Sequence, residues 1–458
     1  MLPVYQLNDT IIAPATPAGT GAIGVIRLSG KEAITITNAQ FKGKNLTQQA
    51  SHTIHLGKIT DTDGTVIDEV LVSVFIGPNS YTGENVVEIS CHGSPYIIQR
   101  ILEVLIAKGA RSAEPGEFTL RAFLNKKLDL SQAEAVADLI ASDSKASHDM
   151  ALNQMRGGFA KIIRNLREEL IRFAALIELE LDFSEEDVEF ANREQLIRLI
   201  DSIQEVIAPL IQSFRLGNVL KTGVTTVIAG RPNAGKSTLL NALLQEDRAI
   251  VSDIAGTTRD TIEETLHIHG ILFRLIDTAG IREAADAIEH LGIERTFEKI
   301  RQSSIVLYVF DCTQMSEAEV QKDLSMLHTH GIPVLLLANK ADLAAQKQQY
   351  PSLDVLYISA SNGQHLDVLK QRLYEMVVKD TQLSSNHAIV SNLRHYEALN
   401  QAGTALQKVR EGILAHTGGE LIAFDLRAAL QALGTITGDI DVDRDILGTI
   451  FGKFCIGK

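Results

Sequence analysis

Hydrophobic and polar residues follow three successive rhythms along this chain. In roughly the first 120 residues, short apolar runs read as strands, Ile23–Leu28 and His52–Ile59 among them. Val70, Val72, Val74 and Ile76 then alternate with less apolar neighbours behind an Asp63-Gly64 turn, the period-two mark of a half-buried strand. Pro95–Lys108 instead repeats apolar residues at helical spacing and is closed by Gly109. This stretch predicts an α/β or α+β unit. From Ser131 to about Arg215 the spacing is helical. Ser131 followed by Glu134 has the spacing of a capping box at one helix start. Leu166, Leu170, Phe173 and Ile177 mark a second helix, and Leu196–Ile211 a third. Helical spacing returns from about Asn392 to Phe454.

Between the helical stretches, strands alternate regularly with helices. Thr225–Ala229, Leu272–Ile276, Ile305–Phe310, Val334–Ala338 and Val355–Ile358 are nearly continuous apolar runs. That pattern belongs to a mainly parallel sheet covered on both faces. A helical domain split by an inserted unit explains the flanking stretches; two separate helical units remain open on pattern alone.

Composition narrows the class. A length of 458 residues calls for two to four domains, and 45% hydrophobic with 22% charged residues is a soluble globular mix. No apolar run reaches the roughly 18 residues needed to span a bilayer. Met1–Gly19 has neither a secretory nor a mitochondrial leader pattern. Cys91, Cys312 and Cys455 are few and unpatterned, as expected in a reducing cytoplasm. The net charge of −14 argues against broad, sequence-independent binding to nucleic acid, which needs a basic face. Any such contact is expected to be local, weak or supplied by a partner.

The inserted unit carries the chemistry. Gly230-Arg-Pro-Asn-Ala-Gly-Lys-Ser237 is a phosphate-loop sequence between a predicted strand and the helical run Leu239–Leu244. Its glycines let backbone N–H groups face phosphate oxygens, and the helix N-terminus adds positive potential. Lys236 is placed to reach the β- and γ-phosphates and Ser237 to ligate Mg²⁺. Asp277-Thr-Ala-Gly280 follows one strand and Asn339-Lys340-Ala-Asp342 another. Asp342 suits the N1–H and 2-amino group of guanine, a pair of donors that adenine lacks. Ser359-Ala360 would close the base pocket. Four motifs in order, each at the C-terminal end of a strand, place a guanine nucleotide where open α/β sheets bind ligands. One position departs from the Ras pattern: Ile281 stands where a water-orienting glutamine is expected, and it cannot hydrogen-bond. Hydrolysis is therefore slow unaided, or another group assists.

The chain resembles the MnmE (TrmE) family of tRNA-modification GTPases over nearly its whole length. The resemblance rests on the phosphate loop, Gly256-Thr-Thr-Arg-Asp260 and Asp277-Thr-Ala-Gly-Ile-Arg-Glu283. Outside that unit it rests on Tyr81-Thr-Gly-Glu84, Pro115-Gly-Glu-Phe118, Phe123–Leu130 and the terminal Phe454-Cys-Ile-Gly-Lys458. The implied fold is multidomain α/β and α. An N-terminal dimerisation and tetrahydrofolate-binding domain spans 1–122, and a discontinuous helical domain spans 123–219 and 381–458. A Ras-like P-loop G domain, 220–380, is inserted in it.

The resemblance also implies site residues. Asn233, Ala234, Gly235, Lys236, Ser237 and Thr238 would hold phosphates, with Thr257, Thr258, Asp277, Gly280, Asn339, Lys340, Asp342, Ser359 and Ala360 completing the GTP site. Ser237 and Thr258 would ligate Mg²⁺; Asn233 and Thr257 would hold a K⁺ ion in place of an arginine finger. Glu289 would orient the attacking water through a second water, with Lys236 and Asn233 also catalytic. Such a K⁺ shell closes only when two G domains meet, so the implied enzyme is a dimerisation-activated GTPase. Arg259, Asp260 and Arg282 lie in the switch segments. Arg27, Glu84, Lys127 and Lys458 match the family's site for a tetrahydrofolate derivative, 5,10-methylene- or 5-formyl-. Cys455 would have a positional or substrate-contacting role. The implied partners are a second copy, tRNA, and the FAD-containing protein MnmG (GidA), in a bacterial cytoplasm. The implied reaction attaches an aminomethyl or carboxymethylaminomethyl group at C5 of the wobble uridine. A rival reading is a nucleotide-controlled binding switch in ribosome assembly or signalling, as in the Era and EngA families, although no appended basic RNA-binding domain is present.

Three features are set aside. Cys91 and His92 are neighbours on a predicted strand, so their side chains face opposite ways and cannot form a nucleophile–base pair. The acidic run from Asp182 to Glu189 reads as a connection between helices. Asp439, Asp441, Asp443 and Asp445 imitate a calcium loop, but Arg444 and Ile450 replace its glycine and final glutamate. Asp443 more naturally caps a helix over Ile446–Phe454.

Overall fold

The computed structural model describes residues 9–182, 192–247, 263–277, 301, 303–327, 331–343, 350–378, 388–439 and 457. Two compact units emerge, one from residues 1–140, 153–203 and 401–458, the other from 141–152 and 204–400.

The first unit begins with β1 (Thr10–Pro14), β2 (Ile23–Ser29), α1 (Ala33–Gln40), β3 (Phe41–Lys42), β4 (Thr53–Thr60), β5 (Val66–Phe75), β6 (Val86–His92), α2 (Pro95–Ala107), β7 (Ala110–Ser112) and α3 (Glu117–Leu124). The strands form one sheet ordered β3-β4-β5-β6-β2-β1-β7, antiparallel except for the β1–β7 pair. Alternation decides its faces. Ile26, Leu28, Val70, Val72, Val74, Val87 and Ile89 pack with Ile36, Ile101 and Leu105 of the two helices. The opposite residues of β1, Ile11 and Ala13, pack with Phe118 of α3. Further along that second face, Ile54, Leu56 and Leu71 remain exposed.

The helical part of this unit opens with α4 (Leu130–Ile140). Its start corrects the capping-box expectation. Ser131 lies inside the first turn, and the box is made two residues earlier by Asp129 and Gln132. Gln132 N–H donates to Asp129 Oδ1 at 2.9 Å, and Asp129 N–H donates to Gln132 Oε1 at 3.0 Å. Ser131 donates its hydroxyl to the same Asp129 oxygen at 2.7 Å. The aspartate wins because its charged oxygen suits the helix N-terminus better than a hydroxyl. The long helix Gly158–Asp182 buries Leu166, Leu170 and Ile177, as their spacing requires, and packs on Gly419–Thr437. The acidic connection after Asp182, Asp443 and the expected helix Ile446–Phe454 lie outside the described residues.

The second unit is built on a six-stranded sheet. Its strands, in chain order, are β8 (Val224–Ala229), β9 (Glu263–Ile268), β10 (Ile271–Asp277), β11 (Ile305–Asp311), β12 (Val334–Asn339) and β13 (Val355–Tyr357). The order is β13-β12-β11-β8-β10-β9, parallel except for β9 against β10. The continuous apolar runs resolve into two alternating sets. Val224, Ile228, Leu307, Val309 and Leu337 join Leu239, Leu243, Leu366 and Leu369 on one face. Val227, Tyr308, Phe310, Leu336 and Ala338 join Val320 and Leu324 on the other. Each large side chain so buried contributes about 1.5–3 kcal/mol. The edge strand β9 was not among the expected strands. It has only two core residues, Leu266 and Ile268, and a two-residue turn at His269 and Gly270, both with positive φ, returns it into β10. Among the described residues no helix is long and apolar enough to cross a membrane.

Candidate functional site

At the C-terminal end of β8 the chain turns through the phosphate loop. Gly230 has φ +153°, and a Cβ there would lie 2.0 Å from Val309 O. Gly235 has φ +95°, and a Cβ there would lie 2.2 Å from Asn339 Nδ2. Only glycine lets the loop pass this close to its neighbours. Asn233 also adopts a left-handed conformation, with φ 59°. The helix Lys236–Asp247 starts directly behind, so Lys236, Ser237 and Thr238 occupy its first turn. Lys236 Nζ donates to the carbonyls of Gly230 and Arg231, both at 3.1 Å, and so closes the loop around its own ammonium group.

Asn339 joins three of the four motifs. Its Nδ2 donates to Ala234 O at 2.8 Å, and its Oδ1 accepts the Ala360 N–H at 3.0 Å. The end of β12, the phosphate loop and the Ser359-Ala360 loop are thereby held at one edge of the sheet. Asp342 Oδ2 accepts from Asn362 Nδ2 at 3.2 Å, and Ser359 is fully buried. Asp277 ends β10 beside β8, opposite Ile228. The cradle fits a nucleotide: main-chain donors for phosphates, a helix N-terminus behind them, and a carboxylate at the base position. Among the described residues no group of three or more His, Cys, Asp or Glu converges as a metal cage. A Mg²⁺ ion held by Ser237 and substrate phosphates needs none.

Two residues outside the expected set brace this site. Arg231 forks onto Asp323, with Nε to Oδ2 at 2.8 Å and Nη2 to Oδ1 at 3.1 Å, and reaches Glu319 at 3.0 Å. Backbone and hydroxyl hydrogen bonds from Ser316, and then Arg231, hold the Glu319 carboxyl down at about 2. Asp311, at the end of β11, takes the Lys340 ammonium at 2.7 Å. Thr257, Thr258, Arg259, Asp260, Gly280, Ile281, Arg282 and Glu289 lie outside the described residues.

In the first unit, Arg27, Glu84 and Lys127 meet around the loop from Pro78 to Glu84. Arg27 projects from β2 onto the sheet face that carries α3. It pairs with Glu88 at 2.8 Å, and its guanidinium carbon lies 5.5 Å from the Tyr81 ring centre and 5.8 Å from that of Phe118. Its Nη1 also donates to Gly457 O at 3.4 Å, which brings Gly457 to this face. Lys127 Nζ donates to Pro78 O at 3.0 Å, and Asn125 Nδ2 to Thr82 O at 2.7 Å, so the segment after α3 pins the loop. Glu84 Oε2 accepts from Ser29 Oγ at 2.7 Å and from Arg121 Nη1 at 3.1 Å. A carboxylate and two cations beside aromatic rings suit a flat heterocycle with donor N–H groups and an anionic tail. Cys455 and Lys458 lie outside the described residues.

Cys91 and His92 behave as their strand positions require. Cys91 is buried, and burial pushes its thiol up to about 11; His92 is largely exposed and turns to Asp68 at 2.8 Å. They form no catalytic pair.

Residues 10–127 match the family described as GTP-binding protein TrmE N-terminus, and residues 130–455 match the MnmE helical domain. A protein named tRNA modification GTPase MnmE from Cytophaga hutchinsonii is 55% identical over 458 residues, covering 99% of each chain. The protein of that name from Flavobacterium johnsoniae is 53% identical, covering 98% of this chain and 99% of its own. Among solved structures, the G domain of the T. maritima FeoB iron transporter aligns with 33% of this chain and 98% of its own at 23% identity, with a TM-score of 0.26. The two family matches and the end-to-end identity agree, and the chain belongs to the MnmE family.

Proposed function

We propose that this protein hydrolyses GTP and couples the cycle to modification of the wobble uridine of tRNA. The carrying observation is the joining of three nucleotide motifs through Asn339 at one sheet edge, in a chain of this family. In the hydrolytic step water attacks the γ-phosphorus, the bond to the β–γ bridging oxygen breaks, and GDP and phosphate leave. Lys236 and the backbone N–H groups of Asn233–Thr238 take up charge on the β- and γ-phosphates, and Asp342 selects guanine. Ser237 and Thr258 hold Mg²⁺, which neutralises phosphate charge. Asn233 and Thr257 hold K⁺ where other GTPases place an arginine. Glu289 orients the water, a task Ile281 cannot perform.

The first 122 residues form the tetrahydrofolate-binding and dimerising domain, 123–219 and 381–458 the helical domain, and 220–380 the G domain. Arg27, Glu84, Lys127 and Lys458 hold a tetrahydrofolate that supplies the one-carbon unit when bound. The exposed Ile54, Leu56 and Leu71 on the uncovered sheet face support a self-associating surface, as an apolar patch of this kind commonly marks an interface. An FAD-containing partner completes the modification in the cytoplasm. Nucleoside analysis of tRNA from a strain lacking this protein tests the reading. Loss of the aminomethyl and carboxymethylaminomethyl groups at C5 of wobble uridines is expected; unchanged wobble uridines would refute it and favour a binding switch.

A further inference from the structure

Glu84 is held by more than its own backbone. Arg121 of α3 is 1% exposed and directs its guanidinium at acceptors on three residues. Nη1 donates to Glu84 Oε2 at 3.1 Å and to Asp9 O at 2.8 Å; Nη2 donates to Asp9 Oδ1 at 2.5 Å and to Glu117 Oε1 at 3.1 Å. Glu117 is also 1% exposed and is shared with Arg111 at 2.7 Å. Three carboxylates, Asp9, Glu84 and Glu117, thus share two guanidinium groups, Arg111 and Arg121. A buried cluster of this kind is a weak stabiliser, since well-packed apolar side chains often do as well. What it does supply is direction. Arg121 Nη1 and the Ser29 hydroxyl both donate to Glu84 Oε2, and Ser29 is itself fixed by Thr82 Oγ1 at 2.7 Å. Ser29 projects two residues from Arg27 on the same strand, hence on the same face.

We propose that Arg121 and Ser29 are positioning residues, which lock the Glu84 carboxylate in the orientation that receives the N–H donors of a bound tetrahydrofolate. This rests on the folate reading of the Arg27–Glu84–Lys127 site. Arg121 is buried and acts through Glu84. Its fork is planar, so lysine keeps the charge and loses the geometry.

The test is a double-mutant cycle on the full chain, read as the dissociation constant of 5-formyltetrahydrofolate by calorimetry. Arg121→Ala would strand buried carboxylates and unfold the domain, so Arg121→Lys and Ser29→Ala are used. Each is expected to weaken binding about tenfold, the scale of one charge-assisted hydrogen bond. In a Glu84→Ala background the same two substitutions should have no further effect. Equal losses in both backgrounds, or unchanged binding in the single variants, would overturn the positioning role while leaving the folate site intact. Failure of the unsubstituted chain to bind would instead overturn the folate reading, and this assignment with it.

Discussion

Asn339 uses both ends of its amide on backbone groups of two other loops, at 2.8 and 3.0 Å. The residue that looks in sequence like a base-binding asparagine is also the joint of the site. Asn233 is the other residue that gains meaning, since its left-handed φ of 59° sets it at the turn of the phosphate loop. With isoleucine at 281 there is no side chain to orient water at that position, and in the proposed mechanism a cation beside Asn233 would carry part of the transition-state charge. Hydrolysis in Na⁺ is therefore expected to run at least about tenfold slower than in K⁺, a modest share of what an arginine finger supplies. Asn233→Ala should bring the K⁺ rate down to the Na⁺ rate. Multiple-turnover phosphate release in the two salts measures this, and equal rates would sink the K⁺ assignment. These motif residues were legible because each chemistry needs its residue types close together in sequence. Arg121 was not, although it sits among quoted motifs, because its partners Glu84 and Asp9 are 37 and 112 residues away.

Elements were legible wherever one period ran long enough. The strands β8, β10, β11 and β12 follow their apolar runs to within a residue or so, because both faces are buried and most positions are apolar. Strand β9 escaped because an edge strand with two buried residues has little pattern to read. The start of α4 was misplaced for a different reason. Asp129 and Gln132 offer the same spacing as Ser131 and Glu134, and the charged carboxylate of Asp129 at the cap position decides between them. Asp129 also takes Arg164 at 2.8 Å, tying the helix start to the helix Gly158–Asp182. Asp129→Ala should cost about 1–2 kcal/mol from the cap alone. Asp129→Asn keeps an acceptor for the Gln132 N–H and should cost clearly less. Urea unfolding of the full chain, followed at helical ellipticity, ranks the two; equal losses would mean that the Arg164 pair, and not the cap, is what Asp129 provides.

At the scale of the whole molecule, charge limits what the chain can do alone. Fifty-seven acidic residues against 43 basic ones leave −14 over 458 residues, and several basic side chains are already committed. Arg27 pairs with Glu88, Arg231 with Asp323, and Arg410 with Asp201. Tight binding to a polyanion needs many phosphates neutralised by free lysines and arginines, each released counterion steepening the dependence on salt. A chain of this charge therefore makes few phosphate contacts. A protein that modifies one uridine can work in that regime if another protein holds the rest of the tRNA. Measured by fluorescence anisotropy on labelled tRNA, the chain alone is expected to bind weakly. The slope of log affinity against log salt should be about −3 or shallower, corresponding to three or so contacts. Adding the proposed FAD-containing partner should raise affinity and steepen the slope together, because the added contacts would be the partner's. A steep slope for the chain by itself would place the tRNA-holding surface here, against the charge argument.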